Sequence, residues 1–318
     1  MRRRPLLALP LGLLAAPAVG QEARAIRVIM PLAAGSAVDV MVRIVAERMG
    51  EILGQRLVIE NVTGASGMIG MRGGARAPAD GSTLVAVNDA VMTMLPNMNA
   101  EAGYDPLRDF APIGQVARIR WALVAHAGFA ARDVAGLVAA ARARPGQIDY
   151  ASGGPGSPQH VAMEMFQQAA GVRLNHIGYR GATPALNAVA AGECPVGFFG
   201  LPTPVQLAEA GRVRILGTAG PRRVDTLRDI PTLAESGLPG FSFHTWGAFL
   251  APAGTPPQVV ARLNGALRES LATPAIRDRL ENLAFEVVGN TPEEFAQVLA
   301  RDHAAMGTLI RTANIRAE

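Results

Sequence analysis

The chain has 318 residues, 49% of them hydrophobic, with a formal charge of +4 and a single cysteine. That length is long for one hydrophobic core and comfortable for two. Cys194 alone excludes an intramolecular disulfide, and interspersed charges without a basic run argue against a nucleic-acid partner.

Residues 1–20 read as a signal peptide. Arg2, Arg3 and Arg4 form a basic start, and Leu6 to Ala16 an apolar stretch too short to anchor in a bilayer. Ala18-Val19-Gly20 supplies a small-x-small cleavage signal before Gln21. General secretion and twin-arginine export both fit this start. Every basic residue is arginine, and losing three of the 30 leaves 27 against 26 acidic residues, close to neutral.

Ile26 to Met30 is an apolar strand that breaks at Pro31, and a small-residue loop ending in Gly35-Ser36 leads into a helix. Val38, Met41, Val42, Val45, Met49, Ile52 and Leu53 recur at helical spacing, and Gly54 is placed to stop the helix. A strand entering a helix through a glycine loop aims unpaired N–H groups and the positive end of the helix dipole at one spot. Such a spot suits an anion. An ordinary βα turn has the same pattern, so this motif alone leaves both readings open.

Leu57 to Glu60 forms a second strand, Gly64-Ala65-Ser66-Gly67 a loop, Met68 to Ala77 a helix and Thr83 to Val87 a third strand. Asn88-Asp89 opens a helical or looped segment through Met94, closed by Leu95-Pro96. Separate strands are predicted at Ile113 to Val116 and Trp121 to Ala125, then a helix from Val134 to Arg142. Ile148 to Ala151 is a strand ending in the loop Ser152-Gly153-Gly154-Pro155-Gly156. The next helix takes Ser157 as cap, Pro158 in its first turn, and Val161, Met165 and Phe166 on its apolar face. This repeats the opening module, and two such modules in a two-domain chain are suited to face each other across a cleft.

Thr-Pro pairs at Thr183, Thr203, Thr255, Thr273 and Thr291 read as helix starts, with Gln258 and Glu294 completing capping boxes. Strands follow at Val213 to Thr218 and Phe243 to Leu250, and amphipathic helices at Val259 to Leu271, Ala275 to Leu283 and from Pro292 onward. The alternation of strands and helices predicts an α/β fold with mostly parallel sheets flanked by helices.

Chemistry-bearing motifs are sparse. No G-x-S-x-G elbow occurs, and Ser157 with His160 is a poor nucleophile–base pair because the serine caps its own helix. The five histidines lie far apart, with no metal-ligand spacing. No phosphate-binding or dinucleotide loop is present. Glycine-rich loops offering backbone donors remain, which suits binding an anion without transforming it; no catalytic residue, metal or cofactor is expected.

Several landmarks carry a family resemblance. They are Ile26 to Asp39, Glu60-Asn61, Gly64 to Gly70, Ala77 to Gly81, Tyr104 to Ile113, Tyr150 to Gly153, Tyr179 to Gly181, Pro231 to Phe241 and Trp246 to Pro256. In order and spacing the chain resembles the periplasmic solute-binding proteins of the tripartite tricarboxylate transporter system, the TctC or Bug family. The resemblance implies a two-lobed, type II-like periplasmic-binding-protein fold with two crossing connections. One lobe would comprise residues 24–118 plus 221–318 and the other residues 119–220. It further implies a periplasmic, monomeric carrier of a small carboxylate or related ligand, read by a membrane permease or, in an orphan member, by a sensor kinase.

Carried over position by position, Leu32, Ala33, Gly35, Ser36 and Asp39 would grip one end of the ligand, with Ala65, Ser66, Asn88 and Asp89 in the same lobe. The second lobe would offer Ser152, Gly154, Gly156, Ser157, His160, Tyr179, Arg180 and Gly181. Departures from the family pattern fall at Ser36, for a second glycine, and Asp89, for a small neutral residue. Phe199 and Gly200 replace a polar pair and favour a more apolar or aromatic ligand. An ionised Asp89 facing the ligand would repel a second carboxylate; as a helix cap it would point at backbone instead.

Overall fold

The computed structural model describes residues 25–99 and 101–312; the signal-peptide reading falls outside them. The first βαβ unit runs β1 (Ile26–Met30), α1 (Ala37–Leu53) and β2 (Leu57–Asn61). The expected apolar stripe of α1 is buried except for half-buried Ile52, Ile44 is buried with it, and Gly54 closes the helix at φ 64°. Burial of each such side chain stabilises the fold by about 1.5–3 kcal/mol. Then come α2 (Met68–Ala75) and β3 (Thr83–Asn88). A π-helical turn at Ala90–Met94 runs directly into α3 (Leu95–Met98), so Leu95-Pro96 continues the helix instead of ending it.

The two strands predicted around residues 113–125 are one, the 17-residue β4 (Phe110–His126), about 55 Å long at a strand's ~3.3 Å rise per residue. The second half of the chain repeats the alternation. It contains α4 (Val134–Ala143), β5 (Asp149–Ser152), α5 (Pro158–Ala170), β6 (Asn175–Gly178), α6 (Ala182–Ala191), β7 (Val196–Gly200), α7 (Pro202–Glu209) and β8 (Val213–Thr218). The chain returns through β9 (His244–Pro252), α8 (Pro257–Ala272), α9 (Pro274–Asn282), β10 (Phe285–Val287) and α10 (Pro292–Thr312). Three short strands, β6, β7 and β10, were not legible; β7 is bracketed by Pro195 and Gly200-Leu201-Pro202, which read as breakers.

The strand order is β2-β1-β3-β9-β4-β7-β5-β6, with β8 and β10 also paired to β4. The sheet is mixed where a mostly parallel one was expected. The sets β2-β1-β3 and β6-β5-β7 are parallel, and every pair involving β4 or β9 is antiparallel. β4 changes partners midway. Arg120 still pairs with His244 of β9, whereas Trp121 pairs with Gly200 of β7. Strands β3 and β7 are buried on both faces, as helix-covered strands are.

The threonine caps need correction. Thr291 forms the full capping box, with its N–H on Glu294 Oε2 at 2.9 Å and its Oγ1 accepting from Glu294 N at 3.2 Å. Thr273 holds a cap position without a side-chain cap bond. The other three do not cap. α6 starts after Gly181, α7 after Leu201 and α8 after Pro256, so Gln258 completes no capping box with Thr255. Their hydroxyls donate instead to Ala34, Gly200 and Pro252 carbonyls. α6 and α7 thus begin two residues earlier than the Thr-Pro pattern predicts and α8 one residue later, a shift that a proline in the first turn tolerates because its missing N–H costs the helix nothing there.

Candidate ligand-binding site

A half-open cavity of about 600 Å³ lies where the two sets of parallel strands approach each other. Three helix N-termini reach its wall: Ser36, Ala37 and Val38 of α1, Ser157 and Gln159 of α5, and Gly181 and Ala182 of α6. Each brings N–H groups without intrahelical acceptors and a positive dipole end. Among the described lining residues, Arg180 carries the sole side-chain charge, and its guanidinium is exposed. Summed, these features favour an anion. The third module, at α6, was not recognised as one in the sequence.

Two serine caps fix the paired modules. Ser36 Oγ accepts from Asp39 N and Ser157 Oγ from His160 N, both at 3.4 Å. The Gly64–Gly67 loop adds two non-glycine residues in left-handed backbone, Ala65 at φ 47° and Ser66 at φ 55°. Such conformations cost on the order of 1 kcal/mol each and concentrate at functional sites.

The cavity collects Leu32, Ala33, Ser36, Ala65, Ser66 and Asn88 from the first half of the sheet. Gly154, Gly156, Ser157, Tyr179, Arg180 and Gly181 come from the second half, with Phe199 and Gly200 beside them. Asn88 Oδ1 also accepts from Val91 N at 3.3 Å, which sets the π-helical turn. Gly181, at φ +118°, is crowded: a Cβ there would lie 3.0 Å from Ala33 Cβ. The Gly181 backbone of one half therefore lies directly against the Ala33 side chain of the other.

Five expected site residues, Gly35, Asp39, Asp89, Ser152 and His160, are not in the wall. Asp39 sits behind the first loop. Its carboxylate accepts from Gly35 N at 2.9 Å, Arg43 Nε at 2.9 Å and Asn61 Nδ2 at 2.9 Å. Burial pushes its pKa up, but the Arg43, Asn61 and Gly35 donors together hold it below the usual carboxylate range. Asp39 therefore shapes the loop through Gly35.

His160 does the same for the second loop. Its Nδ1 accepts from Gly156 N at 3.2 Å, and its ring stacks on His176 at 4.5 Å. Burial and then His176 lower its pKa to about 4, so it is neutral at physiological pH. Ser152 Oγ meets His176 Nε2 at 2.5 Å and accepts from Gly154 N at 3.0 Å. A Ser157–His160 catalytic pair is absent: the serine is a cap and the imidazole is committed to Gly156.

Asp89 is also out of reach of a ligand in the cavity. Burial, and then the Asp302 carboxylate, push its pKa well above the usual range, and its Oδ1 has no hydrogen-bond partner. The contrast with Asp39 is that Asp89 has only the backbone groups of Ala90, Asp89 and Trp246 to lower its pKa, where Asp39 also has Arg43 and Asn61. Trp246 is core: it is 2% exposed, its Nε1 donates to Asp302 Oδ2, and Phe295 packs edge-on against it. Tyr179 reaches the cavity with its hydroxyl 3.5 Å from the buried Cys194 Sγ, whose thiol burial raises.

Sequence reasoning missed the apolar floor, Ile119 and Trp121 of β4 with Val91 and Leu95, and four polar residues, Thr63, Gln159, Thr203 and Thr245. Thr245 Oγ1 accepts from Trp121 Nε1 at 2.7 Å, where β4 changes partners. Gln159 follows the Ser157-Pro158 start directly, and that position on a capped helix was the available signal.

Among the described residues no cluster is suited to a metal ion and no helix is long and apolar enough to cross a membrane. The family model described as tripartite tricarboxylate transporter family receptor, TctC, matches residues 41–315. A UPF0065 protein from the tcbD–tcbE intergenic region of Pseudomonas sp. strain P51 is 34% identical over 93% of this chain and 90% of that protein. The structure of periplasmic binding protein BugD is similar at a TM-score of 0.88 and 31% identity, covering 93% of this chain and 99% of that one. An R. palustris protein solved with adipate is similar at a TM-score of 0.89 and 30% identity, covering 92% and 98%.

Proposed function

The chain belongs to the tripartite tricarboxylate transporter receptor family, and on that premise we propose that it captures a small carboxylate between two lobes for a membrane permease. The observation that carries this reading is the cavity wall: three helix N-termini and Arg180, with no acidic side chain among the described lining residues. Adipate in the R. palustris relative supports the ligand class. We take the lobes to be residues 24–118 plus 221–318 and residues 119–220. The change of partners along β4 at Arg120 and Trp121 supports that division.

The mechanism is hinge closure. A ligand that touches both lobes favours the closed form by the difference of its affinities for the two states. The protein acts as a monomeric carrier without catalysis, exported to the periplasm by residues 1–20. Calorimetric titration of the purified protein with a panel of mono- and dicarboxylates tests this. Saturable binding of at least one acid is expected; no binding across the panel overturns the reading. Ligand at 100 times its dissociation constant should add about 2.7 kcal/mol to stability.

A further inference from the structure

Gln159 is a buried amide in the cavity wall without a partner for its oxygen. It is 4% exposed, lines the cavity, and its Oε1 accepts no hydrogen bond. Its surroundings are defined by Gly153, another lining residue. A Cβ on Gly153 would lie 3.1 Å from Gln159 Oε1 and 3.2 Å from Ala182 N, the first N–H of α6. The amide therefore stands beside one of the N-termini that would hold the carboxylate.

The rest of the wall restricts what can reach both groups. Val38, Leu95, Ile119, Trp121 and Phe199 give it an apolar floor, each at most 4% exposed. Arg180 is the one charged side chain among the described lining residues. A second carboxylate facing this floor would lose water without gaining a cation, and an ammonium would find no carboxylate. A carboxamide both accepts and donates, and a hydroxyl complements it in either role.

We propose that Gln159 is the specificity-determining residue of this receptor and that the ligand is a singly charged hydroxy acid with an apolar, ring-sized body. The hydroxyl lies near the carboxylate, because Gln159 and the Ala182 N–H flank the same point. The inference rests on the receptor reading above and narrows it from carboxylates in general.

Matched acids test it: mandelate against phenylacetate, and 3-phenyllactate against 3-phenylpropionate, with adipate and malate as dicarboxylates, all by calorimetry on the purified protein. The hydroxy member of at least one pair should bind about tenfold or more tightly, because its absence leaves the buried amide unpaired. Gln159→Leu should bring that pair within about twofold while retaining the unhydroxylated acid. Gln159→Glu, similar in size but charged, should lose both acids. Gln159→Met serves the same purpose as the leucine variant if thermal melting shows that leucine does not fold. Equal binding within every pair, a preference that survives in the leucine or methionine variant, or tighter binding of adipate or malate overturns the inference and leaves the receptor standing. Failure of every acid to bind overturns the receptor reading itself.

Discussion

The hydroxyl of Thr183, in the first turn of α6, donates to the carbonyl of Ala34, in the loop before α1, across 149 residues of chain at 2.8 Å. A second bridge, from Ser66 Oγ to Pro155 O at 2.9 Å, joins the other pair of loops. Both span the rims of the cavity, so both exist only while the rims touch. The Thr183–Ala34 bond lies outside the cavity wall and biases the molecule toward closure, while Ser66 and Pro155 also line the cavity.

Thr183→Val should remove about 1 kcal/mol of closure, roughly fivefold in affinity for any acid that binds. Small-angle scattering of the unliganded variant should report a larger radius of gyration. An unchanged affinity and radius would mean that the rim bond contributes nothing to closure.

Asp39 acts on the ligand only through Gly35. Asp39→Asn keeps the shape and removes charge-assisted bonds to Arg43, which should cost about 1.5–3 kcal/mol of stability. Its carboxyl is depressed in the fold, so its contribution is present above the unfolded carboxylate pKa and disappears as pH falls through the folded value. Urea titrations between pH 2 and 6 should show that acid-side loss in the wild type and a smaller one in the variant.

His160 works in the same sense on the pH axis, over a higher window. Its pKa falls from 6.5 to about 4 on folding, so the unfolded chain binds the extra proton between those values. Stability should therefore decline as pH drops from 6.5 toward 4, by roughly 3 kcal/mol at full protonation. His160→Gln should flatten that window in thermal melts, and ligand affinity should fall with it because the Gly156 N–H loses its acceptor.

Burial, and then the Asp302 carboxylate, raise the Asp89 pKa well above the usual carboxylate range. A carboxyl whose pKa is raised in the fold makes stability fall as pH rises above its unfolded pKa. Asp89→Asn removes that penalty, so the melting temperature at pH 7 should rise and ligand preference should stay the same. A shift in preference between mono- and dicarboxylates would put Asp89 in the site after all.

Arg180 is exposed and carries the one charge in the described wall. Arg180→Gln should weaken acid binding by about 0.5–1 kcal/mol at low salt, with the difference shrinking as salt screens it. Calorimetry at two ionic strengths measures both.

What the sequence determined by itself is local. Ser36 and Ser157 cap helices behind glycine loops because a cap needs only a hydroxyl and the N–H three residues on. The buried stripe of α1 and the capping box at Thr291 are legible for the same reason: their partners lie within a turn or two of helix. Family landmarks then extended this to the two-lobed fold. The tertiary structure decided which neighbour faces the cavity. On a helix each residue turns by about 100°, so Gln159 enters the wall while His160, next to it, turns back onto Gly156. Ser36 lines the cavity while Asp39 is drawn behind it by Arg43 and Asn61, residues of α1 and β2 whose meeting no local pattern records. The continuity of β4 is likewise non-local, since it depends on β9 pairing with its first part and β7 with its second.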